Sequence, residues 1–337
     1  MVTVLHDIFT RFVAATVLLL SCALAVSCGD SREPDDSHTV TIAFRISVAT
    51  ASDSLSTRAM NEGWDDYSPT DPGTAYENSL NPDGIHIYMC DAAGETLDEV
   101  DDVKLSRLSP TDYAVVGTWH DSLSRLYMAR RIMVLANCDA LTFSLADCRR
   151  YIPMWGVATL PQLEVGKRND IGEVELLRAV AKVAVGLRRD MVRGGYSIAS
   201  VAINRFNTEG YSVPRGYKAV ANTSALRFAA TLNPLASLSA TPYQTTDSVA
   251  YVPEYDNTSS SAMPSTVTVV LNRNNAYEGT YTLQFRGYGT DGAPTGSAYD
   301  IMRNHLYTYT LYRSDGRIQV TLHVRDWNVR RHDDIIM

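Results

Sequence analysis

Residues 39–48 read Thr-Val-Thr-Ile-Ala-Phe-Arg-Ile-Ser-Val. Val40, Ile42, Phe44, Ile46 and Val48 alternate with Thr39, Thr41, Ala43, Arg45 and Ser47. A period of two puts the first set on one face of a strand and the second, largely polar set on the other. One apolar face has to be covered, so this stretch predicts a strand in a layered β-fold. Its flanks are distinctive. Upstream, Cys28 opens the charged run Cys-Gly-Asp-Ser-Arg-Glu-Pro-Asp-Asp, which reads as an extended spacer. Downstream, residues 49–74 are rich in Ser, Asp, Pro and Gly and read as a long loop. That loop contains Arg58 followed by Ala59, a bond open to a trypsin-like protease. A tether, a detachable strand and a cut site in this order point to a surface-assembled subunit rather than to an enzyme.

The N-terminus is a targeting segment. Arg11 closes a short basic region, and residues 12–26 form an apolar run too short to span a bilayer comfortably. The run ends in Leu24-Ala25-Val26-Ser27-Cys28. Small residues before a cysteine are similar to a bacterial lipoprotein signal, cleaved before Cys28 and acylated on it. Cys22, after Leu19-Leu20-Ser21, is a rival acceptor. Cys28 is favoured because the hydrophobic run stops there and an acidic run follows. With Cys28 lipidated, Cys90, Cys138 and Cys148 remain in the mature chain, an odd number that permits at most one internal disulfide. Buried, reduced thiols are the expectation.

Bulk composition narrows the class. In 337 residues, 45% are hydrophobic and 20% charged, enough apolar material for a true core. The net charge of −8, with lysines and arginines scattered, gives no basic stripe and argues against nucleic acid as a partner. Nineteen tyrosines, and few long Ala/Leu/Glu/Lys blocks, tilt the reading to all-β.

Along the chain, strands are expected at 85–90, 113–118, the apolar run 132–136 within 126–136, 177–187, 196–206, 248–252, 266–271 and 281–285. Residues 141–151 read as a short helix and 291–297 as a Gly/Pro loop. In 177–187 the apolar residues lie on one face, with Arg178 and Lys182 on the other. A closing hairpin of 306–312 and 318–324 turns at Ser314-Asp315-Gly316, and the loss of alternation at Arg325-Asp326 predicts a bulge. Many short strands between turns predict β-sandwiches, divided near 166–173.

Catalytic constellations do not emerge. There is no Gly-x-Ser-x-Gly elbow, no phosphate-cradling glycine loop and no His-Glu-x-x-His. The seven histidines are dispersed. His86 and His323 read as structural strand residues, and His120, between Trp119 and the carboxylate of Asp121, is weak evidence for a site. Acidic pairs such as Asp65-Asp66 lack the ligand spacing of a calcium loop. No catalytic residue, metal or cofactor is implied.

Several segments taken together resemble the fimbrillins of the Bacteroidales, the subunits of protease-assembled (type V) pili. Tyr151-Ile152-Pro153-Met154-Trp155-Gly156 is similar to the family's I-P-M-x-G turn. Leu176 to Val183 is similar to its L-x-R-x-x-A-K-V strand. Val134-Leu135-Ala136-Asn137, Arg303-Asn304-His305-Leu306-Tyr307 and Val324-Arg325-Asp326-Trp327 match further strand ends in the same order. The resemblance implies two transthyretin-like β-sandwich domains in tandem with few short helices: a signal peptide 1–27, a lipidated spacer 28–38, and domains 39–170 and 171–337. It implies an outer-membrane, cell-surface lipoprotein assembled into a fimbrium with other subunits and contributing to adhesion to host or bacterial surfaces. An arginine-specific protease would cut at Arg58, removing the strand of Val40, Ile42, Phe44, Ile46 and Val48, and a neighbour's strand would replace it. The alternative is a surface lipoprotein that binds glycan or another ligand through a β-sandwich.

Overall fold

In a computed structural model of the chain, the described residues are 37–48, 73–213, 237–245, 247–259 and 263–327. Among them the chain is strand after strand, with α-helices only at Ala75–Asn78 (α1), Leu123–Met128 (α2) and Arg189–Arg193 (α3). The all-β expectation holds.

The first part contains β1 (Ser37–Val48), β2 (Ile85–Cys90), β3 (Thr96–Glu99), β4 (Asp101–Arg107), β5 (Asp112–Ser122), β6 (Arg131–Ala136), β7 (Thr142–Ser144), β8 (Met154–Thr159) and β9 (Arg168–Arg178). All but β7 form one sheet, ordered β3-β2-β6-β8-β9-β1-β5-β4. The join is β9. It pairs with β1 from Arg168 to Leu176, then with β8 through Leu177 and Arg178 alone. Inward residues of β1, β5 and β9 share one buried cluster with those of β2, β6 and β8. The sheet therefore folds over at β9 and packs on itself.

The second part contains β10 (Ala181–Leu187), β11 (Tyr196–Asn204), β12 (Glu209–Tyr211), β13 (Tyr243–Gln244), β14 (Val249–Val252), β15 (Thr266–Arg273), β16 (Ala276–Gln284), β17 (Arg286–Tyr288), β18 (Pro294–Ala298), β19 (His305–Ser314) and β20 (Arg317–Asp326). Sheets β14-β10-β19-β20 and β13-β11-β15-β16 enclose a second core.

Some local expectations are corrected. Residues 141–151 hold β7, paired with the distant β12, and a 3-10 turn rather than an α-helix. Part of 291–297 is β18, recruited by β17. The strand expected over 177–187 is two, broken at Ala179-Val180 where the chain passes from one core to the other. Val180 packs in the first core and the next residue, Ala181, in the second. The bulge at Arg325-Asp326 is absent: β19 and β20 keep register through Leu306↔Arg325 and His305↔Asp326.

The fold-over demands a close approach at Gly156. A Cβ there would lie 2.3 Å from the backbone oxygen of Glu175 and 2.9 Å from Leu176. Gly156→Ala should therefore force β8 and β9 apart and cost about 3 kcal/mol. Urea unfolding of the two proteins measures this, and equal midpoints would refute it.

Candidate functional site: the slot of the first strand

Strand β1 lies inside the sheet. It is antiparallel to β5, with Val40 opposite Trp119, Ile42 opposite Gly117, Phe44 opposite Val115 and Ile46 opposite Tyr113. On its other side it is parallel to β9. The register with β9 shifts between Ala43, opposite Asp170, and Phe44, opposite Gly172, so Ile171 is the extra residue of a bulge. Gly172 has φ +88°, and its N–H donates to the Asp170 side chain at 3.0 Å.

Val40, Ile42, Phe44, Ile46 and Val48 are all buried in the first core. At about 1.5–3 kcal/mol for each such side chain, they supply on the order of 8–15 kcal/mol of burial. That is as large as the whole net stability of an ordinary domain. Losing the strand would also strand the ladders of β5 and β9.

The opposite face is less polar than the sequence suggests, since Ala43 and Ser47 are buried. Its polar anchors are specific. Thr39 Oγ1 lies 2.7 Å from His120 Nδ1. Arg45 donates to Asp112 Oδ1 through Nη2 at 2.5 Å and Nε at 3.1 Å. Burial alone would raise the Asp112 pKa, but hydrogen bonds from Ser109 and Arg45 outweigh it and hold the carboxyl below its ordinary value.

Of the residues singled out from sequence, the five strand positions are thus brought together in one slot. Cys28, Arg58 and Ala59 lie outside the described residues. Cys90, Cys138 and Cys148 are free and buried. Burial pushes their thiols up to about 11, 11 and 12, far from the reactive range. Among the described residues no three His, Cys, Asp or Glu side chains cluster as metal ligands, and no helix is long and apolar enough to cross a membrane.

Sequence reasoning missed a buried polar joint beside the slot. Glu77, on α1, is fully buried; its carboxylate accepts from Lys182 Nζ at 2.8 Å and from the Tyr251 hydroxyl at 2.5 Å. Arg178 donates to the Glu77 carbonyl at 3.1 Å and to Asn78 Oδ1 at 2.7 Å. Its guanidinium stands 4.4 Å over the ring of Trp327, the residue after β20, which is itself part of the first core. The one usable signal was the pair of cations in a strand otherwise apolar.

An all-β chain with a central first strand, closed by a tryptophan from the last, matches a known class of surface-appendage proteins. The profile of the family described as fimbrillin-A associated anchor proteins Mfa1 and Mfa2 matches residues 66–333, and the chain belongs to that family. No curated protein sequence matches it. Among solved structures, it is similar to the tip fimbrial protein Mfa3 from Porphyromonas gingivalis with C-terminal truncation. The TM-score is 0.53 at 13% identity, over 86% of this chain and 100% of that one. A putative cell adhesion protein from Bacteroides uniformis aligns at TM-score 0.46 and 10% identity, over 88% and 99%. At such identities the likeness is one of fold.

Two outcomes test the slot. Ile42→Ala should cost about 2–5 kcal/mol in urea unfolding, against less than about 0.5 for Thr41→Ala; equal costs would mean that the apolar face is not what holds β1. Asp112 has a folded pKa below its unfolded one, so its contribution is present above about pH 4 and is lost as pH falls through the lower folded value. Melting temperature should therefore drop more steeply below pH 4 in the natural chain than in Asp112→Asn, and parallel curves would contradict the assignment.

Proposed function

We propose that this chain is a structural subunit of a cell-surface fimbrium, exported as a lipoprotein acylated at Cys28 and displayed on the outer membrane. Cleavage between Arg58 and Ala59 releases β1, and the slot between β5 and β9 takes a strand from a neighbouring subunit. The observation that supports this most is the position of β1: five buried apolar residues in a strand placed inside the sheet, at the extreme end of the mature chain. A slot so apolar cannot stay open in water. A strand of matching alternation refills the core and both ladders, which is β-augmentation. Arg45 is hydrogen-bonded within the seated strand and is spared by the protease. In this reading the two cores are two sandwich domains in tandem, the partners are other fimbrial subunits and surface ligands, and the role is structural rather than enzymatic.

A second reading is favoured by the family's own description as anchor proteins. An anchor keeps its lipid and retains β1.

Intact-mass analysis of the surface-exposed protein from its native cell, before and after an arginine-specific protease, with gels alongside, tests both. An N-terminus at Ala59 with SDS-resistant ladders is the expected result for a strand-exchanging subunit. An acylated Cys28 terminus left uncut in assembled fibres identifies the anchor. A lipidated monomer that never assembles would overturn the fimbrial reading.

A further inference from the structure

The second core has one end at the joint with the first and one end away from it. Strand β10 starts at Ala181, next to Arg178 and Lys182, and its seven residues carry it about 20 Å off. Parallel to it, β19 runs the same way. At their far ends, α3, the start of β11 and two hairpin turns surround a cleft of about 460 Å³. Its walls include Asp190, Met191, Tyr196, Arg273, Arg313 and Asp315.

The two arginines are held by tight turns. Arg273 precedes Asn274 and Asn275, with φ +51° and +64°; Arg313 precedes Ser314 and the pair Asp315 and Gly316, with φ +51° and +78°. Two-residue loops with both residues left-handed are type I′ hairpins, whose twist matches that of the strands they join. The Arg273 guanidinium is also seated 5.2 Å over the ring of Tyr196, a buried residue. Among the described residues neither Arg273 nor Arg313 has a carboxylate or side-chain hydrogen-bond partner of its own. Asp190 is already taken by Arg188, through Nε at 2.8 Å and Nη2 at 2.5 Å. Among the described residues the Asp315 carboxylate has no cation partner and accepts a single 3.4 Å hydrogen bond, from the neighbouring Ser314 hydroxyl.

We infer that this cleft is a binding site for a carboxylate-bearing sugar. Two forked guanidinium groups match one planar carboxylate, each by paired N–H donors. Asp315 accepts from ring hydroxyls. The volume suits one or two sugar rings rather than a protein surface. The site is independent of Cys28 and Arg58, so it stands or falls apart from the mode of assembly.

Saturation-transfer difference NMR and calorimetry on the full chain test it, with N-acetylneuraminic acid and D-glucuronic acid as acidic probes and D-glucose as the neutral one. The expected result is binding of at least one acid, none of glucose, and at least a tenfold loss in the double variant Arg273→Gln/Arg313→Gln, as for the loss of a charge-assisted hydrogen bond. Which acid binds distinguishes a sialic from a uronic source. Should the double variant fold poorly, Arg313→Gln alone decides, because among the described residues its side chain has no hydrogen-bond or carboxylate partner. Binding of neither acid, equal binding of glucose, or undiminished binding by a folded variant would overturn the inference.

Discussion

The apolar face of β1 has only one place to go, and the first core is arranged around that fact. The sheet folds over at β9 so that β1 and its neighbours face β2, β6 and β8, and the fold-over brings β8 so near β9 that Gly156 cannot carry a side chain. The second core repeats the pairing. Strand β10 has antiparallel β14 on one side and parallel β19 on the other, as β1 has β5 and β9. The two differ in how they are tied. Chain continuity fixes β10 at Val180, and Lys182 fixes it to Glu77. Strand β1 continues into the next described residue, Gly73, only through residues 49–72. The same central position is thus filled once by a strand tied directly to the crossing between the cores, and once by a strand held among the described residues by its packing, its ladders and the Arg45–Asp112 and Thr39–His120 contacts.

The joint between the cores is built from charges that have been taken out of water. Glu77, Arg178 and Lys182 are all buried, and removing one partner of such a pair leaves an uncompensated charge, a loss of several kcal/mol. The return is positional. Asn304, at φ +55°, donates its N–H to the Val180 carbonyl and accepts from the Arg178 N–H, while its own carbonyl holds the N–H of Trp327. One left-handed residue therefore ties the crossing from first to second core to the end of β20. Trp327 then completes the first core from the far end of the chain, stacked on Tyr251 at 5.8 Å.

The sequence made β1 legible because burial there follows a strict two-residue period, and the closing hairpin was legible for the same reason. The short motifs were legible as order and spacing, and the structure supplies their physics. Asn137, at φ +64°, donates to the Ser79 and Ile152 carbonyls and accepts from the Asn81 N–H, gathering three loops. Arg303 is paired with buried Glu254 at 2.8 Å. What escaped is what depends on distant partners. Hydropathy sets Arg178 and Lys182 on a polar face because nothing local announces Glu77, about a hundred residues earlier. Residues 142–144 are a strand only because β12 lies beside them. Arg273 and Arg313 are forty positions apart, and their convergence is a property of two hairpins ending at the same place.

Strand direction gives the molecule a polarity. In the first core β1 and β9 run together toward the joint, so the N-terminal end of β1 is the end away from it. In the second core β10 and β19 run together away from the joint, toward the arginine cleft. A parallel pair cannot be reversed without losing its register on both sides, so these directions are set by the same ladders that hold the cores. The start of β1 and the cleft thus each lie at the end of their own core away from the joint.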